Sequence, residues 1–181
     1  MQPQKVIVIV GPTASGKSAL AVRMAKKLNG EVISADSRQV YTGLDIGSGK
    51  ITKKEMQGVP HHMLDIASPK KVFTAHDFAK KGKKILDDIL ARGKTPIVCG
   101  GTGFYIDALL GRISLPEVPA NPKLRAQLEK KTAPQLFTQL QKLDPERAQT
   151  IDQHNPVRLV RAIEIATALG SVPKLSRCHL D

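Results

Sequence analysis

The stretch Lys5 to Leu20, KVIVIVGPTASGKSAL, constrains this chain more than any other. A run of apolar, β-branched residues from Val6 to Val10 stops at Gly11, and Gly11, Gly16, Lys17 and Ser18 then satisfy every fixed position of G-x-x-x-x-G-K-[ST]. A buried strand must therefore turn tightly into a helix. Glycine lets the backbone bend so that successive N–H groups face one concavity, and the positive end of the helix beginning near Gly16 adds to the charge of Lys17. The chemistry that fits is a phosphate chain cradled in residues 11 to 18, with Ser18 holding a magnesium ion that bridges phosphate oxygens. A glycine-bearing turn with no ligand is the plainer alternative.

Downstream, the apolar spacing of Ala21, Met24, Ala25 and Leu28 predicts a helix from Lys17 to Leu28, ended by Asn29-Gly30 as a left-handed cap. A second strand, Glu31 to Ala35, ends on Asp36. Two strands with a helix between them form a parallel βαβ unit, which puts Gly11 and Asp36 on one sheet edge. Residues 37 to 59 read as loops and short turns, and His61 to Ile66 as a short strand. The pair His61-His62 is read as a structural or substrate-contacting element rather than a metal site, because no third ligand stands at metal spacing. Thr74 with Asp77 resembles a capping box opening a helix to Arg92, with Phe78, Ile85, Leu86 and Ile89 on one face. The opposite face carries Lys80, Lys81, Lys83 and Lys84 and reads as a solvated helix surface. A buried strand from Thr95 to Cys99 then enters Gly100-Gly101-Thr102-Gly103, a third turn at the same edge.

From Leu115 the pattern changes. PEVPANP marks a linker, and four short helices follow, announced by Asn121-Pro122, Thr132 with Gln135, Asp144-Pro145 and Asn155-Pro156. The expected organisation is an α/β core of parallel strands flanked by helices over residues 1–113, and an all-helical segment over 114–181.

The chain of 181 residues has 28 lysines and arginines against 16 aspartates and glutamates, a net charge of +12. Of these, 18 basic and 9 acidic residues lie in 1–113, so the excess sits mostly on the phosphate-binding part. Such a balance favours a polyanionic partner, nucleic acid above all, over charge kept for solubility. With 3% aromatic residues and no tryptophan, the composition argues against binding single strands on aromatic platforms. No run is long and apolar enough to span a bilayer and no leader pattern precedes the first strand, so the expectation is a soluble cytoplasmic protein. Cys99, inside an apolar strand, is expected as a buried free thiol rather than the disulfide partner of Cys178.

Ligands of open parallel sheets bind beyond the carboxyl ends of the strands, so residues 11 to 18, Asp36 and Thr102 should converge on one phosphate chain. At that place Asp36 could stand behind a magnesium ion, act as a general base, or merely cap a turn.

Five segments in order carry a more specific likeness: GPTASGKS at 11–18, ISADSRQVY at 33–41, LDIGSGK at 44–50, GVPHHMLDI at 58–66 and PIVCGGTGFY at 96–105. With HNPVRLVRAIEI at 154–165, they resemble the successive motifs of the tRNA dimethylallyltransferases, also called tRNA isopentenyltransferases, which use a P-loop kinase-like fold. The resemblance implies transfer of a dimethylallyl group from dimethylallyl diphosphate to N6 of the adenine 3′ of the anticodon. It implies a diphosphate site made of Gly11, Pro12, Thr13, Ala14, Ser15, Gly16, Lys17 and Ser18, with magnesium on Ser18. It makes Asp36 the general base and places Thr102 beside the acceptor adenine. It assigns contacts with the tRNA anticodon stem-loop to Asp36, Ser37, Arg38, Gln39 and Thr102, and to Arg125, Val157, Arg158, Leu159, Val160 and Arg161. The spacing of Arg158 and Arg161 suits two phosphates on one helical face, or simply an exposed amphipathic edge.

Family members are longer and carry a further catalytic arginine, which no segment before Asp181 matches. The expectation is a monomer that binds the diphosphate with weakened or absent transfer. An ATP-dependent small-molecule kinase, an adenylate isopentenyltransferase and an inactive RNA-binding remnant are the competing readings. The first shares cradle, magnesium and fold but lacks an arginine-rich lid in this sequence.

Overall fold

The computed structural model describes residues 5–113 and 115–173, which fall into two compact units, one up to Ile113 and one after it. In the first unit, β1 (Ile7–Val10), β2 (Gly30–Ser34), β3 (His61–His62) and β4 (Thr95–Gly100) form one parallel sheet in the order β1-β4-β2-β3. β4 therefore lies between β1 and β2. The βαβ crossover through α1 (Lys17–Lys27) spans one intervening strand.

Alternation along the strands separates two cores. Val32, Ile97 and Cys99 face Ala21, Val22 and Ala25 of α1. Ile33 and Val98 face the other way, against Phe78, Leu86 and Ile89 of α3 (Ala75–Ala91) and Tyr105, Ile106 and Leu109 of α4 (Gly103–Leu109). Burying side chains of this size fully contributes about 1.5–3 kcal/mol each, which makes the two helical faces the main stabilising layers. α3 opens with the expected reciprocal bonds between Thr74 and Asp77, and Ile85 is only half-buried.

Three local expectations need correction. The left-handed residue ending α1 is Asn29, at φ +48°, while Gly30 already belongs to β2. The strand expected over 61–66 covers only His61 and His62, because Met63 and Asp65 take positive φ values of 65° and 55° and break the extended run. The 37–59 segment contains one helical turn, α2 (Lys53–Met56), capped reciprocally by Thr52 and Glu55. Its Thr-x-x-Glu signal stands in the sequence but precedes no apolar run.

The second unit is helical: α5 (Pro122–Leu128), α6 (Ala133–Leu143), α7 (Pro145–Thr150) and α8 (Pro156–Leu169). Asn121, Asp144 and Asn155 each accept a hydrogen bond from the backbone N–H three residues on, and Thr132 forms a capping box with Gln135. Leu128, Leu136, Leu140, Leu159 and Ile163 form the core of this unit. No helix among the described residues is long and apolar enough to cross a membrane.

At the amino end of the strands, Glu31 is 2% exposed. It accepts from the Arg92 guanidinium at 2.5 and 2.8 Å and from Lys94 at 2.7 Å, and it pairs with His62 at 2.7 Å. The Arg92 bonds, then Lys94 and His62, outweigh burial and hold its carboxyl well below the usual carboxylate range. A lowered folded-state pKa contributes stability above the unfolded carboxyl range, and that stability is lost as pH falls through the folded value. Glu31→Gln is expected to lower the unfolding free energy by about 2 kcal/mol at pH 7, less than for a fully buried pair because Arg92 and Lys94 stay partly solvated. The acid limb of its stability curve should also flatten below about pH 4. Urea melts across pH check both outcomes.

Candidate functional site

Parallel register decides where the loops emerge. Val10 is level with Gly100, and Ser34 with Cys99. Gly11, Asp36 and Thr102 therefore leave the sheet at one edge. The approach is close: Ala35 N–H donates to the Cys99 carbonyl at 2.8 Å, and Thr102 N–H donates to the Ala35 carbonyl at 3.2 Å. A Cβ on Gly100 would stand 2.1 Å from the Ala35 carbonyl oxygen, so only glycine permits this crossing. The Thr102 hydroxyl accepts from the Ser37 N–H at 3.0 Å, which ties the β4 turn to the Asp36 turn.

The cradle bends through Ala14 (φ +63°) and Gly16 (φ +79°), and the left-handed Gly16 is the N-cap of α1. Alternation of right- and left-handed residues turns N–H groups to one side, the geometry of an anion nest. Lys17 folds back over the loop and donates to the Pro12 carbonyl at 2.9 Å.

Lys17, Ser18 and Asp36 line one narrow cavity, together with Ser34, Gln39, His61, Cys99 and Gly100. Asp36 serves one of its expected roles directly in the structure. Its Oδ1 accepts from the N–H groups of Arg38 (2.9 Å) and Gln39 (3.4 Å), which makes it a turn cap. Its Oδ2 makes no hydrogen bond among the described residues. Gln39 braces the cavity, accepting from the Ser34 hydroxyl at 3.2 Å and donating to the Gly49 carbonyl at 3.1 Å. Ser37 and Arg38 are exposed. Thr102 is not among the lining groups; it stands on the rim through its bond to Ser37.

His61 is the lining residue whose importance the sequence pattern understates. Strand alternation turns His62 to Glu31 and His61 to the cavity. The His61 Nδ1–H donates to the Val59 carbonyl at 2.8 Å, and burial, with the neighbouring His62, pushes the imidazole below its ordinary pKa against that bond. The neutral ring leaves Nε2 as a buried acceptor with no partner among the described residues. Burial likewise pushes the free Cys99 thiol up to about 11. Cys178 lies outside the described residues.

A metal at this edge would find two hydroxyls, Ser18 and Ser34, and one carboxylate, Asp36, and no group of three His, Cys, Asp or Glu side chains that could hold a metal exists among the described residues. That donor set suits magnesium, which keeps waters and phosphate oxygens as ligands, and not zinc.

In the second unit several of the expected contact residues are engaged within the unit itself. Leu159 is fully buried in the helical core and presents no side chain to a partner. Arg161 is not the free neighbour of Arg158. It pairs with the buried Glu164 and donates to the Val118 carbonyl at 2.9 Å. Arg125 joins the same carboxylate at 2.8 and 2.9 Å, and Asn121 N–H donates to it at 2.6 Å. Burial pushes the Glu164 carboxyl up, but Arg125, the Asn121 N–H and Arg161 together hold it at about 2. Of the six residues assigned to the partner in this unit, Val157 and Arg158 are exposed and Val160 is half-buried.

Asp36→Asn keeps an oxygen for the Arg38 and Gln39 N–H groups. It is expected to change unfolding free energy by less than about 0.5 kcal/mol, whereas Asp36→Ala, which removes the cap, should lose about 1 kcal/mol. Chemical denaturation of both variants checks the pair.

Residues 39–179 match the family model described as IPP transferase. The chain is 47% identical over 171 residues to the tRNA dimethylallyltransferase of Oceanobacillus iheyensis, covering 92% of this chain and 55% of that protein. It is 42% identical over 167 residues to that of Anoxybacillus flavithermus, covering 92% and 54%. Among solved structures it is similar to the tRNA isopentenylpyrophosphate transferase of Bacillus halodurans, at TM-score 0.62 and 43% identity over 93% of this chain and 57% of that one. A eukaryotic dimethylallyltransferase acting on tRNA matches at TM-score 0.78 and 30% identity, over 97% of this chain and 46% of that one. The chain spans about half the length of the curated relatives it matches.

Proposed function

The chain belongs to the IPP transferase family, and from that premise we propose that it carries the donor site and catalytic base of a tRNA dimethylallyltransferase. The reaction is transfer of the dimethylallyl group of dimethylallyl diphosphate to N6 of the adenine 3′ of the anticodon. The observation that carries this reading is the sharing of one cavity by Lys17, Ser18 and Asp36 at the carboxyl edge of the sheet, with Thr102 tied to the Asp36 turn.

The chemistry follows from these positions. The cradle N–H groups and the Lys17 ammonium stabilise charge developing on the departing diphosphate. As the adenine N6 forms its bond to the allylic carbon and the carbon–oxygen bond to diphosphate breaks, the amine proton passes to the free Oδ2 of Asp36. Oδ1, bound to two backbone N–H groups, keeps the carboxylate aimed during this step. Magnesium, held by Ser18, would supply further neutralisation of the diphosphate. A stacked base cannot reach a closed pocket, so the adenine must be splayed out of the anticodon loop and held at the Asp36–Thr102 rim. The same reading has the protein acting in the cytoplasm as a monomer.

Calorimetry on this chain is expected to show binding of dimethylallyl diphosphate in preference to ATP, weakened about ten- to a hundredfold by Lys17→Ala. Preference for ATP overturns the reading in favour of a kinase. In the whole protein, Asp36→Asn is expected to lower prenyl transfer to an anticodon stem-loop by roughly two to four orders of magnitude, with donor affinity unchanged. Full activity in that variant removes Asp36 as the base.

A further inference from the structure

The polar face of α3 is charged beyond what the helix needs. Lys80, Lys81, Lys83 and Lys84 crowd two turns, while the last turn, where the helix dipole favours cations, has no basic residue. Lys80 and Lys84 stand four apart, Lys80 and Lys83 three apart, and Lys81 and Lys84 three apart, so like charges oppose one another along the surface. Only Lys83 has a carboxylate partner, Asp87 at 2.9 Å. Lys80, Lys81 and Lys84 make no ion pair among the described residues, and neither does Lys71 across from them.

Lys71, Lys80, Lys81 and Lys84 line an open groove of about 520 Å³ between α3 and the segment 66–73. The single carboxylate there, Asp77, accepts through Oδ2 from the Thr74 N–H at 3.0 Å and hydroxyl at 2.7 Å and feels the charge of Lys81, leaving four lysines against one carboxylate. Apolar surface is exposed beside the charges: Val72 is 85% accessible, and the Lys81 ammonium lies 5.7 Å from the centroid of the Phe73 ring. One wall of the groove, the segment 66–73, follows β3, which is parallel to β2 and ends toward the edge of the sheet that carries the candidate site. Two tyrosines fix Phe73: its N–H donates to the Tyr41 hydroxyl at 3.1 Å, and its carbonyl accepts from the Tyr105 hydroxyl at 3.0 Å. Tyr41 follows the Asp36 turn, and Tyr105 sits on α4, whose N-cap is Thr102.

We propose that this groove binds the phosphodiester backbone of the RNA whose reacting base is held at Asp36 and Thr102. The inference rests on the transferase reading and extends it to a surface outside the catalytic cavity. Lysines are flexible point charges suited to a repeating run of phosphates rather than to one rigidly gripped group. Neutralising several phosphates at once offsets the repulsion that the helix otherwise carries. The exposed Val72 and the Phe73 ring offer apolar contact for a sugar or base edge, which an inorganic polyanion would not use.

The test compares the chain with a variant carrying Lys71→Gln, Lys80→Gln, Lys81→Gln and Lys84→Gln. Affinity for an anticodon stem-loop RNA is followed by fluorescence anisotropy between about 50 and 200 mM salt. The variant is expected to bind RNA at least about tenfold more weakly, and its plot of log affinity against log salt should be shallower by about 3, near 0.7–0.9 for each phosphate that it no longer neutralises. Its melting temperature should be equal or higher, since like-charge pairs are removed, and dimethylallyl diphosphate binding should be unchanged. Unaltered RNA affinity and salt slope overturn the groove and leave the transferase reading standing. Preference of the parent chain for phosphatidylserine vesicles over RNA overturns the groove as well. If the parent prefers ATP to dimethylallyl diphosphate while the variant still loses RNA, the groove stands and the transferase reading falls.

Discussion

Because β4 pairs with β1 on one side and with β2 on the other, in parallel and in register, three chain exits emerge at a single edge of the sheet. Everything chemical in the first unit depends on that pairing. The cradle after β1, the Asp36 turn after β2 and the Thr102 turn after β4 come from segments up to 91 residues apart in sequence. They meet because strand hydrogen bonds leave no freedom of level. The Gly100 crossing under the Ala35 carbonyl tightens the last step, bringing the Thr102 hydroxyl onto the Ser37 N–H. A slip of register by one residue would turn each side chain to the opposite face and separate Asp36 from Lys17.

Opposite ends of the sheet divide the work. The amino edge is closed by Glu31, whose carboxylate gathers Arg92, Lys94 and His62 and so joins β2, β3 and the end of α3. The carboxyl edge leaves polar groups with unused capacity: the Oδ2 of Asp36 and the buried Nε2 of His61. Buried polar groups are ordinarily satisfied, so the unfilled Nε2 of His61 is an exception within that cavity. In the second unit Glu164 does for the helices what Glu31 does for the sheet. Its cluster distinguishes the arginines of this unit: Arg125 and Arg161 are held by an internal carboxylate, while Arg158 is exposed.

The lysines of α3 present the reverse case. Amphipathic spacing makes them look like any solvated face, and periodicity offers no reason to separate Lys83 from the others. The structure separates them, since Lys83 has Asp87 and the remaining three share a groove with Lys71 and the single carboxylate of Asp77. A charge is informative about function when its neighbours do not neutralise it, and neighbours across a groove are invisible to periodicity.

Much of this protein was legible in its residues because the signals are local. The G-x-x-x-x-G-K-S run, the β-branched strands and the helix caps at Thr74, Asn121, Thr132, Asp144 and Asn155 act within a few residues of themselves, and each element appears where its signal stands. The parallel edge shared by Gly11 and Asp36 followed from connection rules. What only the tertiary structure decided is pairing between distant groups. It put β4 between β1 and β2, turned His61 to the cavity and His62 away, gave Asp36 one capping and one free oxygen, paired Arg161 with Glu164 and buried Leu159. Such choices depend on which side chain fills which space, and that is settled by packing and hydrogen-bond satisfaction across the whole unit, which no local stretch encodes.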